Sequence, residues 1–126
     1  MSRNTFILIV SVYSLALGLF MLFVPASAAA YFGGDTANTY QVALFRFIGV
    51  LDAGLGIIGL LLWRHANQEA MRVALLGFTW TGLASLAAGM YNAYVVQIPL
   101  QSTAYVDWAI WGGLGLGSLY FWNKKG

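Results

Sequence analysis

Three charged side chains lie inside long apolar stretches of this 126-residue chain, and they are its first candidates for chemistry: Arg46, Asp52 and Asp107. Asp52 stands near the middle of the apolar run 42–63. A carboxylate in such surroundings can bind a proton or a cation in a transport path. The alternative is a structural carboxyl group that is hydrogen-bonded by hydroxyl groups of the next apolar run, a role that the scarcity of other polar groups there favours. The candidate donors are Thr79, Thr81 and Ser85.

Arg46 and Asp107 each lie a few residues inside an apolar run, and both runs are expected to have the same direction. The two charges are therefore predicted to lie at a similar depth and to form an ion pair that fixes the helix register. The alternative is that Arg46 binds an anion or a lipid phosphate group. Arg46 and Asp52 suit each other less well, because six residues of helix separate them by about 9 Å and about 120°.

Other kinds of site have little support in the sequence. The chain has no cysteine, which excludes disulfides, iron–sulfur clusters and thiolate zinc sites, and it has a single histidine, His65. His65 is a weak candidate for an axial haem or pigment ligand, and its position at the end of an apolar run is more typical of an interfacial polar residue. We therefore expect no cofactor and no metal in the chain itself, with contact to a pigment, haem or quinone only through a partner complex. A net charge of +2 predicts no nucleic-acid partner.

The elements that position these residues follow from an apolar composition. Hydrophobic residues make up 60% of the chain and charged residues 8%, against about 25% charged in soluble domains. This composition predicts an integral membrane protein with the lipid bilayer as its first partner, and one all-α transmembrane domain over residues 1–126. Four runs are long enough to span a bilayer as a four-helix bundle: 5–24, 42–63, 71–91 and 104–122.

The first connecting loop and the charges predict further detail. Pro25 can begin, and Gly33-Gly34 can end, a short helix along the membrane surface. The five basic residues other than Arg46 lie at the N-terminus, in or at the edge of the second loop, and at the C-terminus: Arg3, Arg64, Arg72, Lys124 and Lys125. By the positive-inside rule, both termini are expected in the cytoplasm.

Fifteen glycines indicate how the helices pack. In lipid, small residues spaced four apart let two helix backbones approach closely. The predicted packing positions are Gly18, Gly49, Ala53, Gly56, Ser85, Gly89, Gly113 and Gly117. The run 54–59 also matches G-x-G-x-x-G, but inside a membrane span it lacks the strand and the helix N-terminus that dinucleotide binding requires.

Three features of the chain resemble a group of known families. They are the Arg46-Phe47-Ile48-Gly49 start of the second run, its continuation to Gly59 and Trp63, and the break at Pro25 after the first helix. Together they resemble small four-span membrane proteins of bacteria, including DoxX-like families and families of unknown function. The resemblance implies a four-helix bundle in a bacterial inner membrane, and it transfers no catalytic or binding residue.

The sequence favours a non-catalytic accessory or scaffold subunit of a larger membrane complex. Its partners would be other membrane subunits or further copies of itself, bound through glycine-rich helix faces that are left free. An enzyme has less support, because no nucleophile–base pair or metal cluster is visible. The alternative function is a small oligomeric transporter or channel that uses Asp52 as a proton or cation site.

Overall fold

The computed structural model describes residues 1–65 and 67–124, and these form five α-helices and no strand. The helices are α1 (Arg3–Phe23), α2 (Pro25–Tyr31), α3 (Thr39–Leu62), α4 (Gln68–Tyr94) and α5 (Ser102–Asn123). The prediction of an all-α fold is confirmed. Each of the four long apolar runs coincides with a long helix to within a few residues at either end.

Three of the described helices are long and apolar enough to cross a membrane, namely α1, α3 and α4. Three of the four predicted spans are thus candidate membrane spans, and α5 is not among them. The composition of α5 explains the difference, because its 22 residues include Asp107, three tryptophans and four glycines. Tryptophan carries a polar N–H and glycine has no side chain to bury, so both lower the hydropathy of a helix.

Asparagine side chains fix where α3 and α4 begin. The Asn38 Oδ1 accepts hydrogen bonds from the backbone N–H groups of Tyr40 and Gln41 at 3.0 and 3.3 Å. Asn67 caps α4 in the same way, also at 3.0 and 3.3 Å. These bonds satisfy N–H groups of the first turn that have no partner inside the helix.

The short helix that the sequence predicts after the first long helix is confirmed as α2. Pro25 lies in its first turn, where the missing N–H leaves no hydrogen bond unmade. The chain leaves the helix at Gly33, whose φ of +78° is a conformation that residues with a side chain rarely adopt. The N–H of Gly34 then donates to the Ala29 carbonyl at 2.7 Å and closes the turn.

The long helices form two antiparallel pairs, α1 with α3 and α4 with α5. In the first pair, a Cβ added at Gly18 would lie 2.7 Å from the Gly49 carbonyl oxygen. In the second pair, a Cβ added at Gly82 would lie 2.7 Å from the Gly115 Cα. The backbones touch at both points, so the absence of a side chain sets the distance between the helices.

The two pairs pack together at one end of the bundle, which we call the Arg3 end. It holds the start of α1 and α4 and the end of α3 and α5. The apolar core there consists of Phe6, Ile7, Val10, Met71, Leu75, Phe78 and Phe121. The Phe6 and Phe121 rings stack with their centroids 4.9 Å apart and join α1 to α5.

The Arg3 side chain is buried at this end and links α1 to α4 and α5 by hydrogen bonds. It is only 6% exposed. The Nε atom donates to the Phe121 carbonyl at 3.0 Å, Nη1 donates to the Gln68 Oε1 at 2.5 Å, and Nη2 donates to the Lys124 carbonyl. In the sequence, Arg3 serves only as a charge that indicates membrane orientation. In the structure, it also donates hydrogen bonds to carbonyl groups at the end of α5.

Candidate functional site

A crevice of about 290 Å³ lies between the two helix pairs, on the far side from the Arg3 end. We call it the inter-pair crevice. Its apolar walls come from α1, α3 and α5 and from the residue that follows α2: Leu17, Met21, Phe32, Phe45, Ile48, Leu51, Leu55 and Trp111. Its polar members are Asp52, Thr81, Ser85 and Asp107. The crevice therefore brings together two of the three intramembrane charged residues that the sequence singles out.

Asp52 is the most deeply placed of these polar groups. Its side chain is 7% exposed, and within the described residues neither carboxylate oxygen has a hydrogen-bond partner. The next residue, Ala53, packs against Gly18 of α1, so the close helix contact holds the turn that carries the carboxylate. Buried polar groups in proteins are nearly always paired, so an unpaired carboxylate calls for an explanation.

Asp107 lines the same crevice from α5, and its Oδ1 is also buried without a partner among the described residues. It lines a second cavity of about 210 Å³ as well, formed by α5, the end of α2 and the loop before α5. Gln101 and Thr103 are polar members of this loop cavity. Asp107 therefore stands between the inter-pair crevice and the loop cavity.

The hydroxyl groups predicted to hold Asp52 do not bond to it. Thr79 donates to the Leu75 carbonyl at 2.8 Å, and Thr81 donates to the Gly77 carbonyl at 2.9 Å. Both threonines thus use the carbonyl one turn earlier in their own helix, which competes with any longer-range acceptor. Ser85 lines the crevice, yet the Asp52 oxygens are unpaired in the part of the chain that is described. The structural role that the sequence favoured for Asp52 is not found.

The predicted ion pair between Arg46 and Asp107 is not formed either. Arg46 is exposed on α3, and the one ion pair found within residues 1–65 and 67–124 joins Arg72 to Glu69 at 3.5 Å. Arg46 follows Phe45, which lines the crevice, and successive helical residues point about 100° apart. The rotation of α3 therefore turns Arg46 away from the crevice even if its depth suits Asp107.

His65 lies in the turn after α3, where it is exposed. Its Nδ1 accepts a hydrogen bond from the backbone N–H of Asn67 at 3.1 Å. The described residues contain no group of three histidine, cysteine or acidic side chains that could hold a metal ion. The contact that His65 makes is thus a local one within the α3–α4 loop.

Most of the predicted packing positions lie at contacts inside the chain. Gly18, Gly49, Ala53 and Gly56 form the α1–α3 contact, Gly89 packs against Trp108, and Gly117 packs against Phe6. The exceptions are Gly113, where an added Cβ would meet no atom within 4 Å, and Ser85, which is exposed at the crevice. The helix faces expected to be free for partner subunits are therefore largely used within the chain itself.

Tyr13 contacts a residue of the site, and it was not identified from the sequence. Its ring meets Trp111 edge-on with the centroids 5.5 Å apart, and Trp111 is a wall of the inter-pair crevice. The signal in the sequence is a tyrosine followed by Ser14 inside the otherwise apolar α1. This contact joins the two helix pairs and holds the indole ring in place.

No family model, curated protein or solved structure matches this chain. The resemblance to DoxX-like families therefore stays a prediction. What the site can do rests on its own geometry, which is a mostly apolar crevice in which both oxygens of Asp52 and the Oδ1 of Asp107 have no partner among the described residues.

Proposed function

We propose that this chain is a small membrane transporter that binds a proton or a cation in the inter-pair crevice, at Asp52 and Asp107. The observation that carries the proposal is the state of Asp52, 7% exposed and without a hydrogen-bond partner among the described residues. A carboxylate buried in this way is costly unless a proton or a positive charge neutralises it. The carboxylate faces a crevice large enough for a ligand, which supports a transported species over a fixed structural contact.

The proposal includes α5 as the fourth membrane span. A helix of 22 residues is about 33 Å long, which matches a hydrocarbon core of about 30 Å. Aromatic residues near both ends of α5 suit the two membrane interfaces: Tyr105, Trp108, Tyr120 and Trp122. The close antiparallel contact of α5 with α4, a candidate span, supports the same placement.

The proposed orientation puts the Arg3 end in the cytoplasm of a bacterial cell. Arg64, Arg72 and Lys124 lie at the same end as Arg3, whereas Lys125 lies outside the described residues. The positive-inside rule assigns such an end to the cytoplasm. The inter-pair crevice would then open in the outer half of the inner membrane, with the loop cavity on its outer side.

A second candidate function is the accessory or scaffold subunit that the sequence favours. It is supported by three helical glycines at which an added Cβ would meet no atom within 4 Å: Gly54, Gly77 and Gly113. Such open positions suit close packing with another subunit or a second copy. This role has less support than a cation site, because most of the predicted packing positions are already used inside the chain.

Proton flux tests the proposed function. The purified protein is placed in liposomes that contain a pH-sensitive dye, and a potassium diffusion potential drives proton entry. We expect flux in the natural protein, loss of flux in Asp52→Asn, and a reduced rate in Asp107→Asn. Asp35→Asn is the matched control, because Asp35 is an exposed loop carboxylate that accepts the Ala37 N–H at 2.9 Å. Proton flux that is absent from the natural protein would contradict a proton as the transported ion, and flux that is unchanged in Asp52→Asn would contradict the role of Asp52.

A further inference from the structure

We infer that the ligand of the inter-pair crevice is a small protonated amine with an apolar body, with its ammonium group at Asp52. This inference rests on the proposed function and names the substrate class of the same site. It follows from four properties of the crevice: its unpaired acceptors, its charge, its aromatic walls and its openings.

The acceptors match an ammonium group. Three buried carboxylate oxygens of the described residues have no donor, the two of Asp52 and the Oδ1 of Asp107. A protonated primary amine carries three N–H donors and one positive charge. A bare metal ion is a poorer match, because hard cations require about six or more oxygen ligands and the described residues hold no group of three metal-binding side chains.

The charge must come from the ligand. None of the side chains that line the crevice belongs to arginine, lysine or histidine. Arg46, the basic residue that lies farthest inside a predicted span, is exposed on α3, and Arg3 donates its hydrogen bonds to carbonyl and amide oxygens at the opposite end. Asp52 therefore has no counter-ion of its own in the described part of the chain, and a cationic ligand supplies the missing charge.

The walls suit an apolar or aromatic body. The Phe32 and Phe45 rings stack with their centroids 5.7 Å apart and an angle of 13° between their planes, and both residues line the crevice. Trp111 lines the crevice from α5, and the Tyr13 ring packs edge-on against the Trp111 ring. Aromatic faces attract cations and bury apolar groups, so they favour an amine over a hydrated inorganic ion.

The openings and the volume limit the ligand further. Ile48 and Leu51 line the crevice from α3 and are exposed, so the crevice is open on a side that faces lipid in the proposed membrane placement. A volume of about 290 Å³ is at the small end of ligand pockets. An amine with one short apolar group fits both limits, because it partitions toward the membrane and then presents its charge to Asp52.

Binding of 2-phenylethylamine tests the inference. The full-length protein is placed in nanodiscs of zwitterionic lipid, and binding is measured by equilibrium dialysis against empty nanodiscs. The neutral counterpart, 2-phenylethanol, is measured in parallel. We expect the amine to bind about tenfold or more tightly than the alcohol, since only the amine makes charge-assisted hydrogen bonds.

Variants assign the binding to the site. Asp52→Asn is expected to weaken amine binding by on the order of thirtyfold or more and to leave alcohol binding unchanged. Asp35→Asn is expected to bind as the natural protein does. Ser85→Phe, which places a ring at the edge of the crevice, is expected to weaken both ligands, whereas Ala87→Phe, on an exposed face of the same helix, is not. The Ser85 and Ala87 pair keeps the test valid even if Asp52→Asn folds poorly.

The outcomes separate the inference from the proposed function. Equal binding of amine and alcohol, or amine binding that Asp52→Asn leaves intact, would overturn the inference. Proton flux that depends on Asp52 without amine binding would overturn the inference and leave the proposed function standing. Amine binding that depends on Asp52 without proton flux would support the inference and contradict proton transport through the crevice.

Discussion

The contact between α1 and α3 and the contact between the two helix pairs are built in different ways. Inside the α1–α3 pair the backbones touch, so that a Cβ added at Gly56 would lie 2.6 Å from the Leu15 nitrogen. Between the pairs, larger side chains meet toward the Arg3 end, and a crevice of about 290 Å³ stays open beyond them. In lipid, helices associate through such close backbone contacts. Each pair is thus held by direct backbone contact, whereas part of the space between the pairs stays open.

The two ends of the space between the pairs differ in how they treat a buried charge. At the Arg3 end, each guanidinium nitrogen of Arg3 donates a hydrogen bond to an oxygen of α4, α5 or the residue after α5. In the inter-pair crevice, both oxygens of Asp52 lack a donor among the described residues. The same bundle therefore satisfies a buried charge where it holds the pairs together and leaves one unsatisfied where a ligand could bind. The two ends therefore differ in whether a buried charge is hydrogen-bonded within the chain.

A methyl group added inside a helix pair is expected to have the largest effect on stability. Gly18→Ala is expected to lower the free energy of unfolding by about 3 kcal/mol, because the new Cβ meets backbone atoms that cannot move aside. Gly54→Ala is the matched control in the adjacent helix, since an added Cβ there meets no atom within 4 Å. It is expected to be neutral or to stabilise by up to about 1 kcal/mol, because alanine favours a helix. Reversible unfolding in mixed detergent micelles measures both, and equal effects would contradict the packing described for α1 and α3.

Arg3→Met tests the closed end between the pairs. Loss of the guanidinium group leaves the Phe121 and Lys124 carbonyls without a donor, and we expect a destabilisation of about 2 kcal/mol in the same assay. Arg64→Met is the control. Its guanidinium is exposed and lies 4.4 Å from the centroid of the Trp63 ring, a contact worth about 0.5–1 kcal/mol. A smaller effect at Arg3 than at Arg64 would mean that the Arg3 end does not hold the pairs together.

Asp52→Leu is expected to change stability in the opposite direction. The substitution replaces an unpaired buried carboxylate with an apolar side chain, and we expect the ligand-free protein to gain about 1 kcal/mol of stability. Ligand binding and proton flux are expected to be lost in the same variant. A destabilisation as large as that of Gly18→Ala would instead show that the carboxylate supports the fold.

Arg46 gives the smallest expected effect. Because Arg46 is exposed and does not pair with Asp107, Arg46→Ala and Asp107→Asn should act independently. In a double-mutant cycle, the change in unfolding free energy of the double variant should equal the sum of the single changes to within about 0.5 kcal/mol. A larger coupling energy would indicate that Arg46 and Asp107 do form the ion pair that the sequence predicts.

The helices were predictable from the sequence because their signals are local. Long apolar runs, Pro25 and the Gly33-Gly34 pair each act within a turn or two of the chain. The absence of the Arg46–Asp107 ion pair was not predictable from the sequence. The position of a residue along a helix gives the depth of its side chain, whereas the direction of the side chain depends on how α3 is rotated against α1. Gly18 and Gly113 show the same limit. Both are small residues at helical spacing, yet one touches a backbone and the other faces open space.

The site was predictable in part for the same reason. Asp52 stands out in the sequence because a charged residue in an apolar run is costly anywhere in a membrane. Its lack of partners could not be read from the sequence, because Thr79 and Thr81 bond to their own helix. Arg3 was read as an orientation signal alone, since its burial depends on the end of α5, more than a hundred residues away.

If the charge of Asp52 acts on ligands that enter the inter-pair crevice, it should also change the rate at which a charged reagent reacts with a cysteine placed there. The chain has no cysteine of its own, so Ser85→Cys places a single thiol at the crevice and Ala87→Cys a control thiol outside it. The measurement is the rate of modification by the cationic 2-aminoethyl methanethiosulfonate relative to the neutral methyl methanethiosulfonate. We expect the cationic reagent to be favoured at position 85 relative to position 87, and this preference to disappear when Asp52→Asn is added. The same ratio at both positions, or a preference that survives Asp52→Asn, would contradict the account.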